Sequence, residues 1–107
     1  MPVYNKLIRD KIPNIIKKEN KNFNIRILDD EEFKFEIIKK IGEEYQELIN
    51  SKNNDEEIEE LADLFELIIT LSGVFGLTID ELNVYRINKK EKRGGFGEKI
   101  FLIDVED

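Results

Sequence analysis

The chain has 107 residues, of which 40% are hydrophobic, with six glycines and two prolines; this fits one compact domain and excludes a disordered or fibrous class. Cysteine and histidine are both absent, so disulfides, thiol catalysis and zinc fingers are excluded, and any bound metal is a hard cation held through oxygen. A net charge of -7 argues against nucleic acid as a partner, but the charge is unevenly spread: residues 29–66 carry 15 acids and 4 bases, and the rest carry 9 acids and 13 bases.

The opening "MPVYNKLIRDKIPNIIKK" is charged at every turn and lacks a signal-peptide core. No segment of the chain approaches the roughly 20 apolar residues that span a bilayer, so the expected location is cytoplasmic, with no membrane partner. Asp10 to Lys18 reads as a short helix, because Pro13 is tolerated in a first turn and Ile12, Ile15 and Ile16 recur at helical spacing. "FNIRIL", Phe23 to Leu28, alternates apolar and polar residues and predicts a strand. Asp29 and Asp30 are good N-caps and Glu32 completes a capping-box spacing with Asp29, so a second helix is expected from about residue 31 to Asn50.

"SKNND" is a polar turn offering Asn54 or Asp55 as the next cap, and a third helix follows from about Glu56 to Phe75. From Leu64 onward that helix is apolar nearly all round, the signature of burial on several sides. Gly76 stops it. Thr78 and Glu81 then open a fourth helix, Ile79 to about Lys90, which "RGGFG" ends. "KIFLIDV", residues 99–105, predicts a last strand paired with "NIRIL". The expected fold is mainly α: an antiparallel helical bundle in a single domain, 1–107, with one or two short terminal strands. A chain this small buries a thin core, so self-association is expected to complete it.

Four acids stand out. On the second helix the apolar ladder Ile37, Ile41, Leu48 has Glu44 in the place of a rung, with Glu47 three residues further on. On the third, Glu60 falls on the ladder of Leu64, Leu67 and Leu71, with Asp63 three residues later. A short turn joins the helices as antiparallel neighbours, which brings the two pairs to one level. Four converging carboxylates repel one another and raise one another's pKa values, and a divalent cation such as Mg²⁺ or Mn²⁺ resolves the conflict. A second reading stays open from spacing alone: glutamate favours helices, acids suit a helix N-terminus, and the four form a solvated or capping face.

"EEYQE", twelve residues, then "ELAD" resembles the EExxE and ExxD signature of the MazG-like, all-α nucleoside triphosphate pyrophosphohydrolase superfamily. "YNKLIRDKIPNII" and "KRGGF" resemble the ends of the small MazG-like and phosphoribosyl-ATP pyrophosphohydrolase-like proteins. The resemblance implies hydrolysis of a nucleoside triphosphate to monophosphate and pyrophosphate, with Mg²⁺ (or Mn²⁺) on Glu44, Glu47, Glu60 and Asp63, and a homodimer or dimer of dimers. Substrates in that superfamily include abnormal nucleotides cleared in house-cleaning and phosphoribosyl-ATP of histidine biosynthesis.

In such a mechanism a free carboxylate takes the water's proton, and Glu43 and Glu44 are the catalytic candidates. Lys6, Arg9 and Lys11 in one arm and Lys89, Lys92 and Arg93 in the other are the candidate phosphate ligands. Structural alternatives apply to the second group, since bases at a helix C-terminus also meet its dipole. The reading from another class is a non-catalytic helical oligomerisation or partner-binding module.

Overall fold

The computed structural model describes residues 2–107. It forms four helices: α1 Ile12–Lys18, α2 Asp30–Ile49, α3 Asn54–Val74 and α4 Ile79–Arg93. The expected mainly α architecture is present, and each boundary has a local cause.

Asp29 caps α2 by accepting the Glu32 N–H at 2.8 Å. The reciprocal half of the expected capping box is missing, because the Glu32 carboxylate instead receives both guanidinium nitrogens of Arg26, at 2.9 and 2.5 Å. That pair holds Glu32 below the usual carboxylate range. α3 starts one residue before the expected caps, on Asn53, whose side chain accepts the Glu56 N–H; the Glu56 carboxylate reaches back to the Lys52 N–H. α4 has the full Thr78–Glu81 box, both bonds at 3.1 Å, and runs three residues beyond the expected end, to Arg93, with Gly94 as its cap. Gly94 has φ +83, a conformation that a side chain disfavours.

α1 begins two residues later than expected. Asp10 makes no cap, and a turn with Ile12 N–H on the Arg9 carbonyl leads into the helix. α3 ends in a Schellman arrangement: the Leu77 N–H returns to the Ser72 carbonyl, the Gly76 N–H to that of Gly73, and Gly76 sits at φ +78. Ser72, the one buried polar residue among the described residues, is satisfied by donating its hydroxyl to the Leu77 carbonyl.

α2 and α3 pack as a hairpin around Ile37, which is fully buried, and Lys34 lies over the Phe75 ring to close the end away from the connecting turn. Among the described residues α4 packs only on α3 and leaves it at 102°, and α1 packs on no other helix. Among the described residues no single helix is long and apolar enough to cross a membrane.

Neither expected strand forms among the described residues. Phe23–Leu28 and residues 99–105 share no ladder, and Ile27 and Phe101 are almost fully exposed. Alternation makes a segment able to extend, but a two-stranded ribbon without a covering face has little to stabilise it. The chain is open as a result: its radius of gyration is 18.3 Å, against about 13 Å for a compact domain of roughly this length. The helical faces are open too. Phe35, Ile38 and Tyr45 of α2 and Leu61, Phe65 and Ile68 of α3 remain exposed.

Candidate active site

Ile37 fixes which side of α2 meets α3, and the helical repeat carries that side forward to Lys40, Glu44 and Glu47. Glu60, in the second turn of α3, is aimed at the same level from the facing helix. One ligand oxygen from each of Glu44, Glu47 and Glu60 lies within 4.8 Å of the others, with Glu44 and Glu60 half-buried and Glu47 exposed. The Glu60 Oε2 atom is closed off from solvent and has no hydrogen-bond partner.

That orphaned oxygen explains the electrostatics. Two ionised carboxylates contain no donor, so the contact between Glu60 and Glu44 becomes a hydrogen bond only when a proton is shared between them. Sharing that proton with Glu44, then desolvation, then the charges of Glu44 and Glu47 push the Glu60 pKa up to about 7. Lys40 is the basic group nearest the cluster on α2. Its Nζ is 3.9 Å from Glu44 Oε1, beyond hydrogen-bond range, with both side chains largely covered. The sequence reading missed Lys40. The signal was present in its i, i+4 spacing before Glu44 on the inward face.

Asp63 is drawn elsewhere. Its Oδ1 accepts Arg9 Nη2 at 2.5 Å, across 54 positions of sequence, so the structure gathers three of the four expected carboxylates and pairs the fourth with a cation from the N-terminal arm. Glu43 is exposed and outside the three-carboxylate group. Lys6 lies over the Tyr4 ring, 5.5 Å from its centroid, and Lys11 is exposed at the start of α1. Lys89, Lys92 and Arg93 lie in the last turns of α4 and are exposed. Some 21 Å of helix separates Glu60 from the end of α3, and α4 then turns away by 102°. Within one chain the α4 cations are therefore not brought to the carboxylates.

An open groove borders the cluster, lined by Glu47, Asn50, Ser51, Glu56, Glu59 and Glu60. Such a wall repels a bare phosphate. The donor set fits a hard divalent cation: three carboxylate oxygens converge, one of them unpartnered and dry, with no nitrogen or sulfur ligand nearby.

A family model, phosphoribosyl-ATP pyrophosphohydrolase, matches residues 4–87. The match includes all four acids, Lys40 and the N-terminal cations, and stops short of Lys89, Lys92 and Arg93. No curated protein and no solved structure gives a match.

Proposed function

The chain belongs to the phosphoribosyl-ATP pyrophosphohydrolase family, and from that premise we propose that it hydrolyses the α–β anhydride of a nucleoside triphosphate with the help of Mg²⁺ or Mn²⁺. The observation that carries this reading is the convergence of Glu44, Glu47 and Glu60, with the Glu60 Oε2 atom buried and unpartnered. Glu44, Glu47 and Glu60 would hold the cation, with Asp63 as a further ligand were it freed from Arg9. When bound, the cation supplies neutralisation of phosphate charge and polarisation of the attacking water.

The remaining roles fall to the chain's own side chains. Lys40 sits against Glu44 and limits the repulsion that three converging acids set up. Glu43, exposed and next to Glu44 in the chain, accepts the water's proton. Arg9, Lys6 and Lys11, the cations of the N-terminal arm, meet the negative charge of the phosphates. The water oxygen forms a bond to phosphorus, the bridging P–O bond breaks, and monophosphate and pyrophosphate leave. Self-association into a homodimer or dimer of dimers belongs to the same reading, supported by the open shape of the chain and the exposed apolar faces of α2 and α3. The proposed setting is the cytoplasm.

The proposed substrates are non-canonical nucleoside triphosphates, in a house-cleaning role. The family description favours a second reading, phosphoribosyl-ATP, which carries the same 5′-triphosphate. One experiment tests both: incubation with Mg²⁺ and a panel of canonical, deoxy, uracil-containing and oxidised triphosphates and phosphoribosyl-ATP, followed by ³¹P NMR. Monophosphate and pyrophosphate are expected, with no reaction in excess chelator. Release of orthophosphate and a diphosphate, or full activity in chelator, overturns the reading.

A further inference from the structure

The Arg9–Asp63 pair has an unusual position. Asp63 is three residues from Glu60 on the same face of α3, one helical turn from the carboxylate cluster, yet its Oδ1 is held by a guanidinium from outside the hairpin. Among the described residues, Arg9 is the only side chain from outside α2 and α3 that bonds to any of the four acids. The helix that follows it in the chain, α1, packs on no other helix among the described residues. Both partners remain partly exposed, at 59% and 36%. An ion pair of this kind shifts an equilibrium by a factor of only about 2 to 5, so it can be exchanged.

We infer that Arg9 is the exchangeable cation of this site: without ligands its guanidinium occupies Asp63, and a triphosphate draws it away, freeing Asp63 to join Glu44, Glu47 and Glu60 on the metal. The inference rests on the metal reading above and deepens it. A guanidinium and a divalent cation compete for the same carboxylate, and a guanidinium pairs with phosphate at least as well as with carboxylate. Metal held by all four carboxylates requires the Arg9–Asp63 pair to open, and so does phosphate held by Arg9. Once either has bound, the other meets no such cost. Metal and triphosphate therefore bind with positive coupling, each raising the affinity of the other by the same factor. The acidic groove wall sharpens the effect, because a phosphate that arrives without a cation meets Glu47, Glu56 and Glu59.

The test uses the full chain and reads binding. Mn²⁺ affinity is measured by electron paramagnetic resonance in the absence of phosphate. The affinity for α,β-methylene-ATP is measured with Mn²⁺ and in chelator, and the ratio is compared between parent and variant so that the metal's own attraction for phosphate cancels. Arg9→Ala and the length-preserving Arg9→Gln are expected to raise phosphate-free Mn²⁺ affinity about 2- to 5-fold and to lower the ratio by a similar factor. In an Asp63→Asn background the gain should vanish, because the variant acts through Asp63. Unchanged or weakened Mn²⁺ binding in both Arg9 variants, or an equal gain in the Asp63→Asn background, overturns the inference while leaving the metal centre standing. A parent chain that binds no Mn²⁺, or one whose affinity Glu60→Gln does not alter, removes the metal reading itself and this inference with it.

Discussion

The two ends of the α2–α3 hairpin are built from opposite materials. At the end where α2 begins and α3 stops, Phe33 and Val74 line a shallow hollow, Lys34 covers the Phe75 ring, and the Schellman turn and the Ser72 hydroxyl leave that turn's polar groups paired. Two helical turns beyond Ile37, the other end gathers three acids around an oxygen with no partner. The paired polar groups and the cation over the ring at the first end favour the fold. At the second, desolvation and like charge oppose it, and the hairpin tolerates the conflict because the closed end and Ile37 hold the helices together. A locally unfavourable cluster kept in place by a satisfied one is what a binding site requires, and the contrast can be broken from either side.

The largest effect is expected at the acidic end. Glu44→Gln and Glu60→Gln should each reduce hydrolysis by on the order of 100-fold or more, the scale for losing part of a metal's transition-state charge stabilisation. The metal-free fold should be no less stable, since each change removes repulsion. Steady-state rates and urea unfolding in chelator check the two halves separately. Parent-level turnover in either variant means that residue holds nothing essential.

The apolar flank comes next. Phe65 is 56% exposed on α3, and Leu61 and Ile68 share its exposure. Phe65→Asp should shift a dimer or larger assembly toward monomer at micromolar concentration, because burying one such ring is worth about 1.5–3 kcal/mol and a symmetric interface loses it twice. Light scattering of parent and variant decides it. A monomeric parent shows instead that this face needs no second copy.

A smaller, graded effect comes from pH. The Glu60 pKa is raised to about 7 in the folded chain, above its ordinary value of 4.5. The fold thus prefers the protonated form, and the stability this lends is fully present below about pH 4.5 and is lost as pH rises through 7. Glu32 works in the opposite direction. Arg26 lowers its pKa, so its contribution is present above 4.5 and disappears only as pH falls through the lowered value. In chelator, the urea midpoint of the parent should therefore fall between pH 5 and pH 8. Glu60→Gln should flatten that fall, and Mg²⁺ should reverse it at pH 8. A flat parent profile shows that Glu60 is not held in a dry, acidic site.

How much of this was legible in the sequence follows the same division. The helices were legible because their signals are local: the side-chain oxygens of Asp29 and Thr78 each accept a backbone N–H three residues on, Gly76 and Gly94 take positive φ, and apolar residues repeat at helical spacing. Glu44, Glu47 and Glu60 were legible because acids replace rungs of apolar ladders on two helices that a short turn makes neighbours. What failed depends on distant partners. Residues 23–28 and 99–105 alternate, but alternation does not name the strand that pairs with them. Glu32 has the spacing to close its own cap, whereas Arg26 from the preceding segment takes it. The Arg9–Asp63 contact spans 54 positions, and no local pattern encodes it.

The smallest effect is expected from the second basic arm, and it separates the two arms. Arg9 already touches one of the four acids, whereas Arg93 ends a helix that packs only on the far part of α3. If triphosphate is held by cations that the single chain brings to the carboxylates, Arg9→Ala should lower kcat/KM by about 1–3 kcal/mol, the range for a lost charge-assisted contact. Arg93→Ala should cost no more than a few tenths, the usual scale for an exposed surface substitution. Steady-state kinetics on the best substrate from the panel checks both. An Arg93 effect as large as that of Arg9 breaks the comparison in an informative direction, because a residue that cannot reach the site within its own chain must reach it from a second copy. The loss should then deepen on dilution, as the assembly that delivers it dissociates.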